Sequence, residues 1–136
     1  MNFIKIALNV IEIESSALTN LAQAIDDHFQ QCCELILACQ GKVIITGIGK
    51  SGLIGKKISA TLSSTGTPSI FLHPTEALHG DFGMIQKNDI VIAISHSGFT
   101  EELCKLLPAI KAQGVPCIAI TSQVNSPLAQ AAHLHL

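Results

Sequence analysis

From Ala17 onward the apolar positions Leu18, Leu21, Ile25 and Phe29 recur every three to four residues. Leu35, Ile36 and Cys39 continue the pattern until Gly41 stops it, which predicts an N-terminal helical segment over residues 1–41. The rhythm then changes. Four short runs, residues 43–46, 69–72, 90–95 and 116–121, are nearly continuous in apolar side chains, as strands buried on both faces are. Between them lie helix-length intervals at 53–64 and 100–112, the second closed by Gly114 and Pro116. Ser126-Pro127, a capping residue followed by proline at the first helical position, opens a third helix that runs through Ala132. His133 to Leu136 reads as the start of another strand. Alternation of this kind predicts βαβ units and a parallel sheet in one α/β domain, with its core over residues 42–136. A pattern that stops inside a strand is expected of a domain incomplete at its C-terminal end.

Composition adds an expectation about partners. Hydrophobic residues make up 48% of the 136 positions and charged ones 13%, so part of the apolar surface is expected to lie against a partner chain or missing sequence, and a homo-oligomer is expected. The net charge is −2 and the eight basic residues are all lysines. That balance lacks the footprint of nucleic-acid binding. No apolar run approaches the ~18 residues of a membrane span. The N-terminus, with Lys5, Glu12 and Glu14 among its aliphatics, lacks a signal-peptide pattern. A cytoplasmic protein is expected, without membrane or nucleic-acid partners. The five cysteines, Cys32, Cys33, Cys39, Cys104 and Cys117, are odd in number and show no C-x-x-C spacing, so they read as buried thiols.

In an open parallel sheet, ligands bind beyond the C-terminal ends of the strands. Three such loops are rich in chemistry. The first, Gly47-Ile48-Gly49-Lys50-Ser51-Gly52, satisfies G-x-G-x-x-G, but it carries a lysine and a serine that a dinucleotide turn does not require. A dinucleotide site also expects an acidic residue at the end of the second strand, where Phe71, Leu72 and His73 stand instead. The second loop, His73 to Asp81, holds two histidines and two carboxylates. The third, Ser95-His96-Ser97-Gly98-Phe99-Thr100-Glu101-Glu102, sets three hydroxyls around a glycine at a helix start. Hydroxyls and backbone N–H groups at a helix N-terminus cradle a phosphate monoester without arginine.

These loops, together with Ser64-Thr65-Gly66-Thr67-Pro68 and His79-Gly80-Asp81, resemble the SIS (sugar isomerase) domain of bacterial arabinose 5-phosphate isomerases, in order from about Gly41 to the end. The resemblance implies a three-layer αβα sandwich with a parallel, flavodoxin-like sheet. It implies interconversion of ribulose 5-phosphate and arabinose 5-phosphate for synthesis of Kdo, a lipopolysaccharide sugar, in a Gram-negative cytoplasm. A homotetramer is implied too, as are CBS modules in many members; this chain contains none. Lys50 and Glu102 match catalytic positions of the family, and Gly66, Thr67, His73 and His79 match substrate-contacting ones. Ser51, Ser95, Ser97 and Thr100 match the phosphate cradle. His73 also matches a position that binds zinc in some members, an incidental or inhibitory metal, since no cofactor is required.

Moving a proton between adjacent carbons needs an acid/base group, a shuttle for the hydroxyl proton and positive charge beside the enediolate oxygen. Lys50 can supply the charge, and His79 is a candidate shuttle because histidine can give or take a proton near neutral pH. Two positions depart from the family pattern: His96 stands where Asn is common and Phe99 where an acidic residue is frequent. The family's further catalytic Glu and His fall beyond Leu136. A phosphosugar-binding module without turnover is therefore the alternative expectation.

Overall fold

A computed structural model describes all residues, 1–136. Two helices, α1 (Phe3–Ala24) and α2 (Asp27–Leu37), precede β1 (Val43–Gly47), α3 (Gly49–Ser64) and β2 (Ser69–Phe71). There follow α4 (Pro74–Leu78), a 3-10 turn (Asp81–Met84), β3 (Ile90–Ile94), α5 (Glu101–Ala112), β4 (Cys117–Ile120), α6 (Pro127–Ala131) and β5 (Leu134–His135). The strands form one sheet in the order β2-β1-β3-β4-β5, parallel at every pairing.

The side-chain period of two divides each strand between two cores. Ile44, Val91, Ala93, Cys117 and Ala119 face Ala77 of α4, Leu103, Leu106, Leu107 and Ile110 of α5, and Leu128 of α6. Val43, Ile45, Ile92, Ile94 and Ile118 face Cys32 of α2, with Ile58 and Leu62 of α3 packed alongside. Each fully buried Val, Leu or Ile among them contributes about 1.5–3 kcal/mol. The result is the three-layer αβα sandwich that the sequence implied.

Three local features differ from the sequence expectation. The N-terminal segment is two helices, because Ile25 is extended (φ −71°, ψ 121°) and the Asp26 carboxylate accepts from the His28 N–H at 2.9 Å to cap a new helix. α3 begins at Gly49, four residues before the predicted start, which puts Lys50 and Ser51 in its first turn. The His73 loop contains α4, capped by the His73 ring and started by Pro74. All five cysteines are free. Cys32 and Cys117 are buried as expected, and burial pushes the Cys117 thiol up to about 12, whereas Cys33, Cys39 and Cys104 are partly exposed.

α1 lies outside the sandwich and buries none of its residues. Its apolar side chains are open: Ile4 is 74% exposed, Ile11 60% and Leu18 68%.

At the N-terminal end of the sheet, one carboxylate ties the chain together. Asp89, 2% exposed, accepts from the Lys42 N–H (2.9 Å), the Lys42 ammonium (2.7 Å) and the Gln86 N–H (2.8 Å). A Cβ on Gly41 would strike this carboxylate, so the turn into β1 can approach β3 only through glycine. Burial works to raise the Asp89 pKa, but the Lys42 and Gln86 hydrogen bonds outweigh it and hold the carboxyl below its usual range. A carboxyl whose pKa is lower folded than unfolded stabilises the fold above the unfolded value, about 3.9, and that contribution is lost as pH falls through the folded value. Acid titration of thermal stability is thus expected to show a loss below about pH 4 that is absent from Asp89→Ala. The substitution itself lowers stability at pH 7, because the Lys42 and Gln86 N–H groups and the Lys42 ammonium lose their shared acceptor. Identical pH profiles for the two proteins would refute the assignment.

Candidate functional site

β1 and β3 are neighbours in the sheet, yet the chain leaves β1 for β2 on one side before crossing to β3 on the other. Their C-terminal ends therefore flank the topological switch point, where open α/β sheets bind ligands. Gly47 is in register with Ile94, so the loops after the two strands emerge side by side, about 4.8 Å apart at their roots. β2 lies against the other edge of β1, bringing its loop to the same end.

The β1 loop is shaped by glycines with different tasks. Gly49 has φ +59°, a left-handed conformation that other residues enter only with strain, and it turns the chain from strand into helix. A Cβ on Gly47 would sit 3.0 Å from the Ile94 carbonyl oxygen, one on Gly52 2.7 Å from the Gly47 oxygen, and one on Gly55 3.2 Å from the Phe71 ring. These three seat α3 against the sheet. α3 has no side-chain cap, and its Lys50 and Ser51 N–H groups have no acceptor within the protein. Unpaired N–H groups in a first turn, at the positive end of a 16-residue helix, face the crevice as an anion-binding end. Lys50 is exposed at this turn and Ser51 half-buried.

The β3 loop repeats the arrangement. Ser95, 2% exposed, shares a 2.7 Å hydrogen bond with the Thr100 hydroxyl and accepts from the Gly98 N–H at 3.1 Å. Ser97 accepts from the Phe99 N–H at 3.2 Å. Thr100 is the N-cap of α5 but makes no capping bond, because its hydroxyl is turned to Ser95. The N–H groups of Glu101 and Glu102 in the first turn of α5 consequently lack acceptors. Glu102 is half-buried and unpaired, whereas its neighbour Glu101 is held outward by Lys105 at 2.6 Å.

After β2, the His73 Nδ1 accepts from the Thr75 N–H at 3.3 Å, so in the neutral ring the proton sits on Nε2. The same ring stands edge-on to Phe71, with centroids 6.5 Å apart. His79 ends α4 and is exposed. No three of His73, Glu76, His79 and Asp81 converge into a cluster of metal-ligating side chains. His133 and His135 are spent on backbone: His133 accepts from the Cys117 N–H and His135 bonds the Thr121 carbonyl.

Gly66 and Thr67 do not join this cluster. They follow the C-terminus of α3 and precede β2, whose Ser69 pairs with Val43 at the start of β1. They lie at the N-terminal end of the sheet, a helix length of about 24 Å from Lys50. Two features were not visible to sequence reasoning. One is the segment after β4, where Thr121, Ser122 and Ser126 contact the β3 loop. The other is a cleft of about 920 Å³ between α2 and β5, lined by Phe29, Val124 and Leu134 among others, which contains none of the candidate residues.

Comparison with known proteins agrees with this geometry. Residues 36–136 match the family model described as SIS domain. The chain is 52% identical over 136 residues to arabinose 5-phosphate isomerase KdsD of Pseudomonas aeruginosa, covering 100% of this chain and 42% of that one. It is 50% identical over 127 residues to the protein of the same name from Escherichia coli K12, covering 93% of this chain and 39% of that one. A solved structure from E. coli CFT073, in complex with arabinose 5-phosphate, superimposes with a TM-score of 0.86 at 40% identity, covering 99% of this chain and 73% of that one. The chain thus spans about two-fifths of the length of these curated relatives. With the fold, the strand-end loops and the family match in agreement, this chain belongs to the SIS domain family.

Proposed function

We propose that the protein is an aldose–ketose isomerase that interconverts D-arabinose 5-phosphate and D-ribulose 5-phosphate through an enediolate. The observation that carries this reading is the meeting, at one switch point, of two helix N-termini with unpaired N–H groups, one of them with a lysine in its first turn. Relatives named arabinose 5-phosphate isomerase support the choice of sugar. The phosphate sits against the first turns of α3 and α5, bonded by Ser51, Ser95, Ser97 and Thr100. A base removes the proton from C2 of the aldose and returns it to C1, while Lys50 stabilises the charge on the enediolate oxygen. Glu102 is the candidate base, and His79 moves the hydroxyl proton. Arabinose 5-phosphate formed this way feeds Kdo synthesis in the cytoplasm of a Gram-negative bacterium.

The protein acts as a homo-oligomer, a tetramer by resemblance. The exposed apolar surface of α1 supports assembly, since monomers rarely leave so much aliphatic surface on one helix. Assembly also gives Gly66 and Thr67 a route to substrate: from the far end of the sheet they can serve the crevice of a neighbouring copy. A second reading, a phosphosugar-binding module without turnover, is favoured by that same separation.

Lys50→Ala in the full-length protein is expected to lower kcat about 100-fold or more and to leave arabinose 5-phosphate binding measurable by calorimetry. Normal turnover in the variant would remove Lys50 from the chemistry, and binding without turnover in the unsubstituted protein would select the module instead. Sedimentation of the unsubstituted protein is expected to give a multimer. Lysine at Ile4, Ile11 and Leu18, which share one face of α1, is expected to shift it to smaller species. A monomeric unsubstituted protein, or no shift, would contradict assembly through this helix.

A further inference from the structure

The β3 loop is anchored from behind by residues that belong to no catalytic or binding assignment. The carbonyl of His96 accepts three hydrogen bonds from the segment after β4: from the Ser122 hydroxyl at 2.7 Å, the Ser122 N–H at 3.0 Å and the Thr121 hydroxyl at 3.2 Å. Two residues on, Gly98 adopts φ +70° and lies so close to Ser126 that a Cβ there would overlap the Ser126 side chain and come within 2.9 Å of the Thr121 hydroxyl. The Gly98 carbonyl in turn accepts from the Leu128 N–H in the first turn of α6 at 3.2 Å. The contacts reinforce one another. Ser126 is fully buried and caps α6 by accepting from Ala129 at 3.2 Å, and Thr121 is 9% exposed and itself accepts from the Gln123 N–H at 3.0 Å.

We propose that Thr121, Ser122 and Ser126 are positioning residues that aim the phosphate cradle of the β3 loop. The inference rests on the phosphosugar reading given above. Ser95, Ser97 and the unpaired N–H groups of α5 leave the same short stretch whose back is pinned at His96 and Gly98. If the His96 peptide is released, the hydroxyls and N–H groups on the other side of the loop lose their fixed direction, and a preorganised anion site becomes one that must order on binding. Thr121 and Ser122 spend their hydroxyls on His96, so they act through the loop. The phosphate is held equally in substrate and transition state, so weakening its site raises KM and spares kcat.

The test uses the full-length protein with Thr121→Val/Ser122→Ala, Ser122→Ala alone, and Thr121→Ser as the conservative replacement. KM and kcat are measured with arabinose 5-phosphate, and the dissociation constant of inorganic phosphate by calorimetry. Loss of two hydroxyl bonds is expected to raise KM and the phosphate dissociation constant together, roughly three- to thirtyfold. Ser122→Ala alone is expected to give part of this effect, kcat is expected to change less than about twofold, and Thr121→Ser to behave as the unsubstituted protein. If the double variant does not fold, Ser122→Ala, at an exposed position, decides. Unchanged phosphate affinity in a folded variant, or a loss confined to kcat, overturns the positioning role. Phosphate binding that weakens as expected in a protein without isomerase activity sinks the isomerase reading and leaves the positioning role standing. An unsubstituted protein that binds no phosphate overturns both.

Discussion

The contact on which this structure depends is the bare backbone approach between β1 and the first two turns of α3. Gly52 lies so close to the Gly47 carbonyl that a Cβ does not fit, and Gly55 packs against the Ile45 and Phe71 side chains, which a Cβ would push back. This closeness seats the helix axis low on the sheet, and its first turn consequently opens beside the neighbouring β3 loop. Gly49 supplies the reversal that makes the turn abrupt. Lys50 and Ser51 take their places from these glycines, since neither makes a hydrogen bond of its own to another part of the chain. The sheet contributes the rest. Because β1 and β3 are adjacent in space and separated in sequence by β2, two helix N-termini converge on one crevice.

Much of this was legible in the sequence. The continuous apolar runs marked β1, β3 and β4 to within one or two residues, because strands buried on both faces have no polar face to blur them. Ser126-Pro127 marked α6, and the hydroxyl cluster at Ser95, Ser97 and Thr100 marked the second half of the crevice. The start of α3 was not legible, since glycines read as a loop until packing shows that two of them are helical. The break at Ile25 was also hidden. Apolar periodicity runs through it, and Asp26 reveals itself as a cap only once the chain has turned.

Sequence proximity was a poor guide to assembly in two places. His73, Glu76, His79 and Asp81 fall within one short loop, but His73 caps α4 and His79 ends it, so the helix holds the two rings at opposite ends. Gly66 and Thr67 are closer in sequence to Lys50 than Ser95 is, yet α3 carries them to the other end of the sheet. The segment after β4 shows the converse. Thr121 and Ser122 carry no motif and Ser126 reads only as the cap of α6, because contacts with another loop leave no spacing to recognise.

The proposed phosphosugar site lies at the β1–β3 switch point. An amide-shift titration of isotopically labelled full-length protein with arabinose 5-phosphate tests it most directly. The largest shifts are expected on the N–H groups of Lys50, Ser51, Ser97, Glu101 and Glu102. Shifts confined to the cleft between α2 and β5, around Phe29, Val124 and Leu134, would contradict it.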